Sequence, residues 1–182
     1  MSGFTSSWYP ILVGLTCFAL SSPLQADDIR VFEQGGQREV YVGNQTPKAQ
    51  DLVEILQPPD TEARTRGARP ATLALNVQFK VGSAILTESG QEQLRALGEA
   101  LQSKQLQSHS YVVEGHTDKK GKISRNMTLS QKRAESVRQY LTQNFDIKPS
   151  QLKALGLGSN RLIDPADPFN PINRRVTITA KD

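Results

Sequence analysis

Three short runs of this 182-residue chain carry side chains that could do chemistry: His116-Thr117-Asp118, Lys132-Arg133 and Asn173-Arg174-Arg175. A histidine beside a carboxylate invites a metal or a catalytic reading, and both fail on supply. The other histidine, His109, is not at ligand spacing, and Cys17 is the single cysteine. No metal site is therefore expected. A Ser-His-Asp arrangement would need a serine on a strained turn and an oxyanion site, neither of which is signalled. No catalytic residue and no cofactor are expected, and His116 reads as packing or hydrogen bonding at a strand end. Asp118 suits either a loop acceptor for backbone N–H groups or an anion that holds a cation. Arg133 can present two parallel N–H groups to a carboxylate, or pair with Asp118 as an ordinary salt bridge. Lys119, Lys120 and Lys122 make a small basic loop, either simply solvated or able to attract carboxylates.

The elements that position these residues begin at Thr72, where Leu73, Leu75, Val77 and Phe79 alternate with smaller or polar residues. This period of two predicts a strand over 72–79. Ser89 with Glu92 forms a capping box, and Leu94, Leu97 and Leu101 recur at helical spacing, predicting a helix over 89–104. Tyr111 to Gly115 gives a second strand. Thr128 with Ser130 or Gln131 opens a second helix, whose buried stripe is Ala134, Val137, Tyr140 and Leu141. Pro149 starts a short helix, Ala154 to Gly158 is a strand edge or turn, and Val176 to Ala180 closes with a strand. The order β-α-β-α followed by further strands predicts an α/β fold, with right-handed crossovers onto one sheet and helices on one or both faces.

Ahead of that pattern, Met1 to Ala26 contains no Lys, Arg, Asp or Glu, and the apolar run Ile11 to Leu20 precedes Ser21 to Ala26. The run is short of the about 20 residues a spanning helix needs. It predicts a secretory signal peptide over 1–26, although no basic residue starts it and Leu24 stands where a small residue is preferred. Cleavage after Ala26 would remove Cys17 and leave no thiol. Lipidation at Cys17 is the rival reading, against which Gly14-Leu15-Thr16 departs from the usual approach to an acylated cysteine. Residues 27–70 hold a short alternating stretch, Arg38 to Val42, and one or two helical turns at Asp51 to Leu56, among Pro47, Pro58, Pro59, Gly67 and Pro70. This reads as an arm and linker, either docked through Leu52, Val53, Ile55 and Leu56 or mobile. A net charge of +4 from 22 basic and 18 acidic residues, interleaved along the chain, favours an anionic polymer. Scattered aromatics and the lack of a basic stripe argue against nucleic acid.

Four fragments in order then resemble one family: Val113-Glu114-Gly115-His116-Thr117-Asp118; Gly121 with Asn126; Leu129-Ser130-Gln131-Lys132-Arg133-Ala134; and Asn173-Arg174-Arg175-Val176. This looks like the OmpA-like peptidoglycan-binding domain, shared by outer membrane protein A, the peptidoglycan-associated lipoprotein and flagellar stator proteins. Phe79 with Gly82-Ser83-Ala84 and Leu86, and the late glycine turn Leu155 to Gly158, fit the same pattern. The resemblance covers 71–182 and leaves 27–70 uncovered. It implies a β-α-β-α-β sandwich with a mixed sheet and helices packed against it.

The resemblance also implies a ligand, the diaminopimelate of the peptidoglycan stem peptide, whose side chain ends in an ammonium and a carboxylate on one carbon. Asp118 would take the ammonium and Arg133 the carboxylate, with Arg133 in the first turn of its helix, where free N–H groups and the dipole assist. Thr117, Asn126 and Leu129 would line the pocket, Asn126 either bonding the peptide or holding the loop. Arg174 or Arg175 would face the rest of the peptide; in a strand they point to opposite faces, and Arg174 is favoured. The expected role is non-covalent wall binding in the periplasm, associated with the outer membrane or not, which tethers an envelope component. Rival roles are an assembly protein that meets an envelope partner through the 27–70 arm, and a peptidoglycan-remodelling enzyme. Homodimerisation is left open.

Overall fold

The structure, a computed structural model, describes residues 29–34 and 37–181. The expected leader, its cleavage point and Cys17 lie outside the described residues. Along the chain come β1 (Ile29–Gln34), β2 (Gln37–Val42), α1 (Ala49–Leu56), α2 (Thr61–Thr65), β3 (Thr72–Leu75), α3 (Glu88–Leu101), β4 (Ser110–His116), α4 (Ile123–Asn144), β5 (Leu152–Gly158) and β6 (Val176–Lys181). Single 3₁₀ turns at Pro149–Gln151 and Pro171–Asn173 lead into β5 and β6.

The described strands form one mixed sheet in the order β1-β2-β3-β6-β4-β5. β2 is parallel to β3 and β4 to β5, while β6 runs antiparallel between β3 and β4. Each parallel pair needs a crossover, and α1 and α4 supply them. Side-chain alternation sorts the two faces. Val42, Leu73, Leu75, Val113, Val176 and Ile178 enter the main core with Leu52 and Leu56 of α1, Leu94, Leu97 and Leu101 of α3, and Ala134, Val137 and Leu141 of α4. Tyr41 and Ala74 point the other way, onto Ile163 and Ile172 of the β5–β6 connection. Each fully buried Leu contributes about 1.5–3 kcal/mol, which fixes α3 and α4 on one side of the sheet. This is the expected α/β mixed sheet with packed helices, enlarged by two strands.

Two expectations are corrected, and one left open is decided: of the docked and mobile readings of the arm, the structure has the docked one, with residues 29–34 and 37–56 in the folded unit. β2 pairs with β3 from Glu39↔Thr72 to Val42↔Leu75, β1 pairs with β2, and Leu52, Val53 and Leu56 are buried in the main core. Parallel pairing across a helix leaves no local signature, so the segment's own pattern does not announce it. The strand expected over 72–79 ends at Leu75, because its partner β6 begins at Val176, opposite Leu75. Only Phe79 pairs again, bridging Leu86. The cap of α3 is Thr87, whose hydroxyl accepts from the Gly90 N–H at 3.1 Å, not Ser89. Thr87 N–H also donates to Gln78 O, so the exit turn of β3 fixes the helix start.

Candidate functional site

The end of β4 is held from both sides. His116 N–H donates to Arg175 O and Thr117 N–H to Gly158 O, each at 2.9 Å, so neighbours on β6 and β5 bracket the point where the chain leaves the sheet. His116 is buried, and its Nε2 lies 3.2 Å from Thr177 Oγ1. Burial, then the nearby Arg175 and Arg161 charges, hold its pKa well below the ordinary imidazole value. A neutral hydrogen-bonding ring at a strand end is its place in the structure.

The following loop folds around Asp118. Lys120 N–H donates to Asp118 Oδ1 at 3.0 Å. Asn126 Nδ2 donates to both Asp118 O and Lys120 O at 3.1 Å, and Lys119 N–H reaches Pro168 O in the β5–β6 connection. Of the two roles expected for Asn126, holding the loop is the one these bonds perform. Thr117 Oγ1 is buried and has no hydrogen-bond partner among the described residues. A buried hydroxyl without a partner is costly, and this one belongs to the residue immediately before Asp118.

α4 lies on β4 and β5 at backbone contact. A Cβ on Gly115 would sit 2.2 Å from Ser130 O, and one on Gly156 would sit 2.4 Å from Gln131 N. Only glycine at both positions lets the helix settle this close. Ser130 Oγ then accepts from Gly158 N–H at 2.8 Å. This docking sets the height at which Leu129 and Arg133 leave the helix. Leu129 is half-buried beside Gly82 to Ile85.

Arg133 is not in the first helical turn. α4 starts at Ile123, about three turns earlier, and Thr128, expected as the cap, instead donates its hydroxyl to Ser124 O inside the helix. The helix terminus therefore adds nothing to a charge at Arg133, because the dipole acts within the first turn. Side-chain contacts hold the guanidinium instead. Its Nε donates to Ser83 O at 3.1 Å, and its Cζ lies over the Phe79 ring, 4.9 Å from the centroid. Burial and the neighbouring Arg174 charge lower its pKa, and the Asp118 carboxylate opposes them. These three charged groups share one field, although no hydrogen bond joins Asp118 to Arg133.

The two adjacent arginines separate although both precede β6, Arg174 closing the 3₁₀ turn and Arg175 joining it to Val176. Arg174 Nη1 meets Asp118 Oδ2 at 2.9 Å with its side chain 46% exposed. Arg175, 1% exposed, forms an ion pair with Glu39 of β2 and donates to Arg161 O. Glu114 Oε2 takes Arg161 and Thr177 on the same side of the sheet. The Glu39–Arg175 pair was not legible in the sequence. Neither were Phe79 and Ser83 as supports of Arg133, since each depends on contacts distant along the chain.

The geometry defines an α/β domain with a cluster of one carboxylate and two guanidiniums where β4 leaves the sheet. The OmpA family matches residues 78–175, more than half of the chain, and the protein belongs to that family. It is 31% identical over 111 residues to outer membrane porin F of Pseudomonas aeruginosa, covering 60% of this chain and 31% of that protein. It is 26% identical over 121 residues to a peptidoglycan-associated lipoprotein of Mesorhizobium japonicum, covering 62% and 71%. The chain thus spans about a third of the length of its porin F and outer membrane protein A relatives. A MotB-like protein from Desulfovibrio vulgaris superposes with a TM-score of 0.53 over 73% of this chain and 94% of that one at 22% identity, a likeness of fold.

Proposed function

We propose that the Asp118 site binds peptidoglycan non-covalently, through the zwitterionic side-chain end of diaminopimelate in the stem peptide, and performs no reaction. The observation that carries this reading is the convergence of the Asp118 carboxylate with Arg174 and Arg133, next in sequence to a residue whose buried hydroxyl, Thr117 Oγ1, has no partner among the described residues. An ammonium and a carboxylate on one carbon match that set: the ammonium beside Asp118 and Thr117, the carboxylate toward the two guanidiniums. Arg174 neutralises Asp118 in the free protein and, half-exposed, is free to turn to the ligand's carboxylate. Asn126 keeps the loop in shape, and Leu129 offers an apolar edge to the ligand's methylene chain. Membership of the OmpA family and the peptidoglycan-associated lipoprotein among the relatives support the same ligand. The role that follows is tethering of an envelope component to the wall, in the periplasm.

Co-sedimentation of the full chain with purified diaminopimelate-type sacculi tests the proposal. The parent pellets, and folded Asp118→Ala and Arg133→Ala variants remain largely in the supernatant. A parent that stays in the supernatant, or variants that pellet as well as it does, would refute the assignment.

A further inference from the structure

Next to the Asp118 site, the loop Gly82 to Ile85 and one face of α4 enclose an open cleft of about 700 Å³. From α4 it is lined by Ser124, Arg125, Thr128, Leu129, Lys132 and Ser136, positions three or four apart that share one helix face. Its charge is one-sided. Arg125 and Lys132 line it, no Asp or Glu does, and among the described residues neither cation pairs with a carboxylate. The imbalance extends around the mouth: from Asp118 to Arg133 there is one acidic residue against six basic ones, Lys119, Lys120, Lys122, Arg125, Lys132 and Arg133. A site for one zwitterion needs one anion and one cation, and Asp118 with Arg174 and Arg133 already provides them. The remaining cations form no ion pair among the described residues.

The cleft is continuous with that site. Ser83 lines the cleft and accepts the Arg133 Nε hydrogen bond through its carbonyl, so the guanidinium proposed to meet diaminopimelate is held by a residue of the cleft. Leu129, one helical turn before Arg133, lines the cleft. A peptide anchored at Asp118 that continues along α4 passes directly under Arg125 and Lys132, with the hydroxyls of Ser124, Thr128 and Ser136 available to its amides.

We propose, resting on the reading of the Asp118 site given above, that this cleft is a second subsite selecting the free carboxylate of the stem-peptide residue next to diaminopimelate. That residue is a glutamate joined through its side chain, so its α-carboxyl group is left over and occurs either as the free acid or as the amide. Arg125 and Lys132 receive the acid by charge-assisted hydrogen bonds, which the neutral amide cannot replace. Both side chains are exposed and the attraction is screened by salt, so the selection is moderate and weakens as ionic strength rises. Val81, Ile85 and Ile123 are exposed aliphatics around the cleft, a combination with lysines that could also suit an anionic lipid surface. The hollow, hydroxyl-lined shape favours the peptide.

The test is calorimetric titration of the full chain with two soluble diaminopimelate-containing tripeptides that differ only in whether the glutamate α-carboxyl is free or amidated. The parent binds the free acid about three- to tenfold more tightly. An Arg125→Gln/Lys132→Gln double variant binds both peptides equally, near the parent's affinity for the amide. Asp118→Ala weakens binding of both peptides alike, about ten- to a hundredfold. A parent without preference, or a double variant that retains it, overturns the subsite while leaving the Asp118 site standing. If the parent binds neither peptide, the Asp118 reading falls and the subsite with it. Flotation with phosphatidylglycerol vesicles supplies the last arm: capture that depends on Arg125 and Lys132, in a parent without peptide preference, makes the face a membrane contact and rejects the proposal.

Discussion

Arg174 Nη1 lies 2.9 Å from Asp118 Oδ2, so the carboxylate proposed to receive the ligand's ammonium is already neutralised in the free protein. Binding then exchanges one partner for another. The partners differ in cost: Arg174 is half-exposed, so its side of the pair is worth about 1 kcal/mol, while the buried Asp118 keeps the Lys120 N–H bond when Arg174 is replaced. Arg174→Gln should therefore shift urea unfolding by no more than about 1 kcal/mol and weaken muropeptide binding only in part. Asp118→Ala removes the anion itself and should cost about 1.5–3 kcal/mol of binding, about ten- to a hundredfold. Calorimetry on both variants decides the order, and equal losses would rule out the exchange.

Arg133→Lys keeps the charge and should still fail. An ammonium cannot donate through a fixed Nε to Ser83 O while sitting over the Phe79 ring and offering two further N–H groups outward. Binding of diaminopimelate peptides should fall about tenfold or more, while unfolding changes little. Retention of parental affinity by Arg133→Lys would show that charge alone, without the fork held by Ser83 and Phe79, suffices.

The helical core of the fold and the candidate site residues were legible as sequence patterns because those patterns are local. Leu94, Leu97 and Leu101 sit at helical spacing and are all buried, as are Ala134, Val137 and Leu141. Asp118 and Arg133 stood in motifs that could be recognised in order. What escaped depends on non-local geometry. Nothing in Arg38 to Val42 says that it pairs in parallel with Thr72 to Leu75, and nothing in Arg175 says that its partner is Glu39. The start of α4 was misplaced because Ile123 to Asn126 is a polar first turn lacking a side-chain cap, whereas Thr128 has the chemistry of a cap without its position.

The buried Glu39–Arg175 pair makes β2 electrostatically necessary to the domain. Removing one member of such a pair leaves an uncompensated buried charge, at a cost of about 3–5 kcal/mol. Glu39→Ala should reduce unfolding free energy by that order in urea, and Glu39→Met/Arg175→Met should recover most of it. Little loss in Glu39→Ala would mean that water or another group already serves Arg175.

Gly156→Ala tests how closely α4 must approach the sheet. The added Cβ would meet Gln131 backbone at 2.4 Å, a contact that forces the helix outward and costs about 1–3 kcal/mol as overpacking. Since Arg133 follows Gln131 on the same helix, affinity for sacculi should fall together with the melting temperature. An unchanged melting temperature would show that α4 can lift from β5 without penalty.

His116 should leave a signature in the pH dependence of stability. Its folded pKa is held well below the ordinary value by burial and by Arg175 and Arg161, while in the unfolded chain it titrates near about 6.5. Below that pH the unfolded state binds a proton that the folded state refuses. Stability is therefore full above about pH 6.5 and declines as pH falls toward the folded pKa, with a limiting slope of about 1.4 kcal/mol per pH unit. His116→Gln offers a neutral side chain to Thr177, and, whatever its absolute stability, should flatten the decline between pH 6.5 and the carboxylate range. Urea unfolding of parent and variant at several pH values gives the difference directly. Parallel curves would mean that His116 accepts a proton in the folded state and that its burial beside two arginines does not suppress protonation.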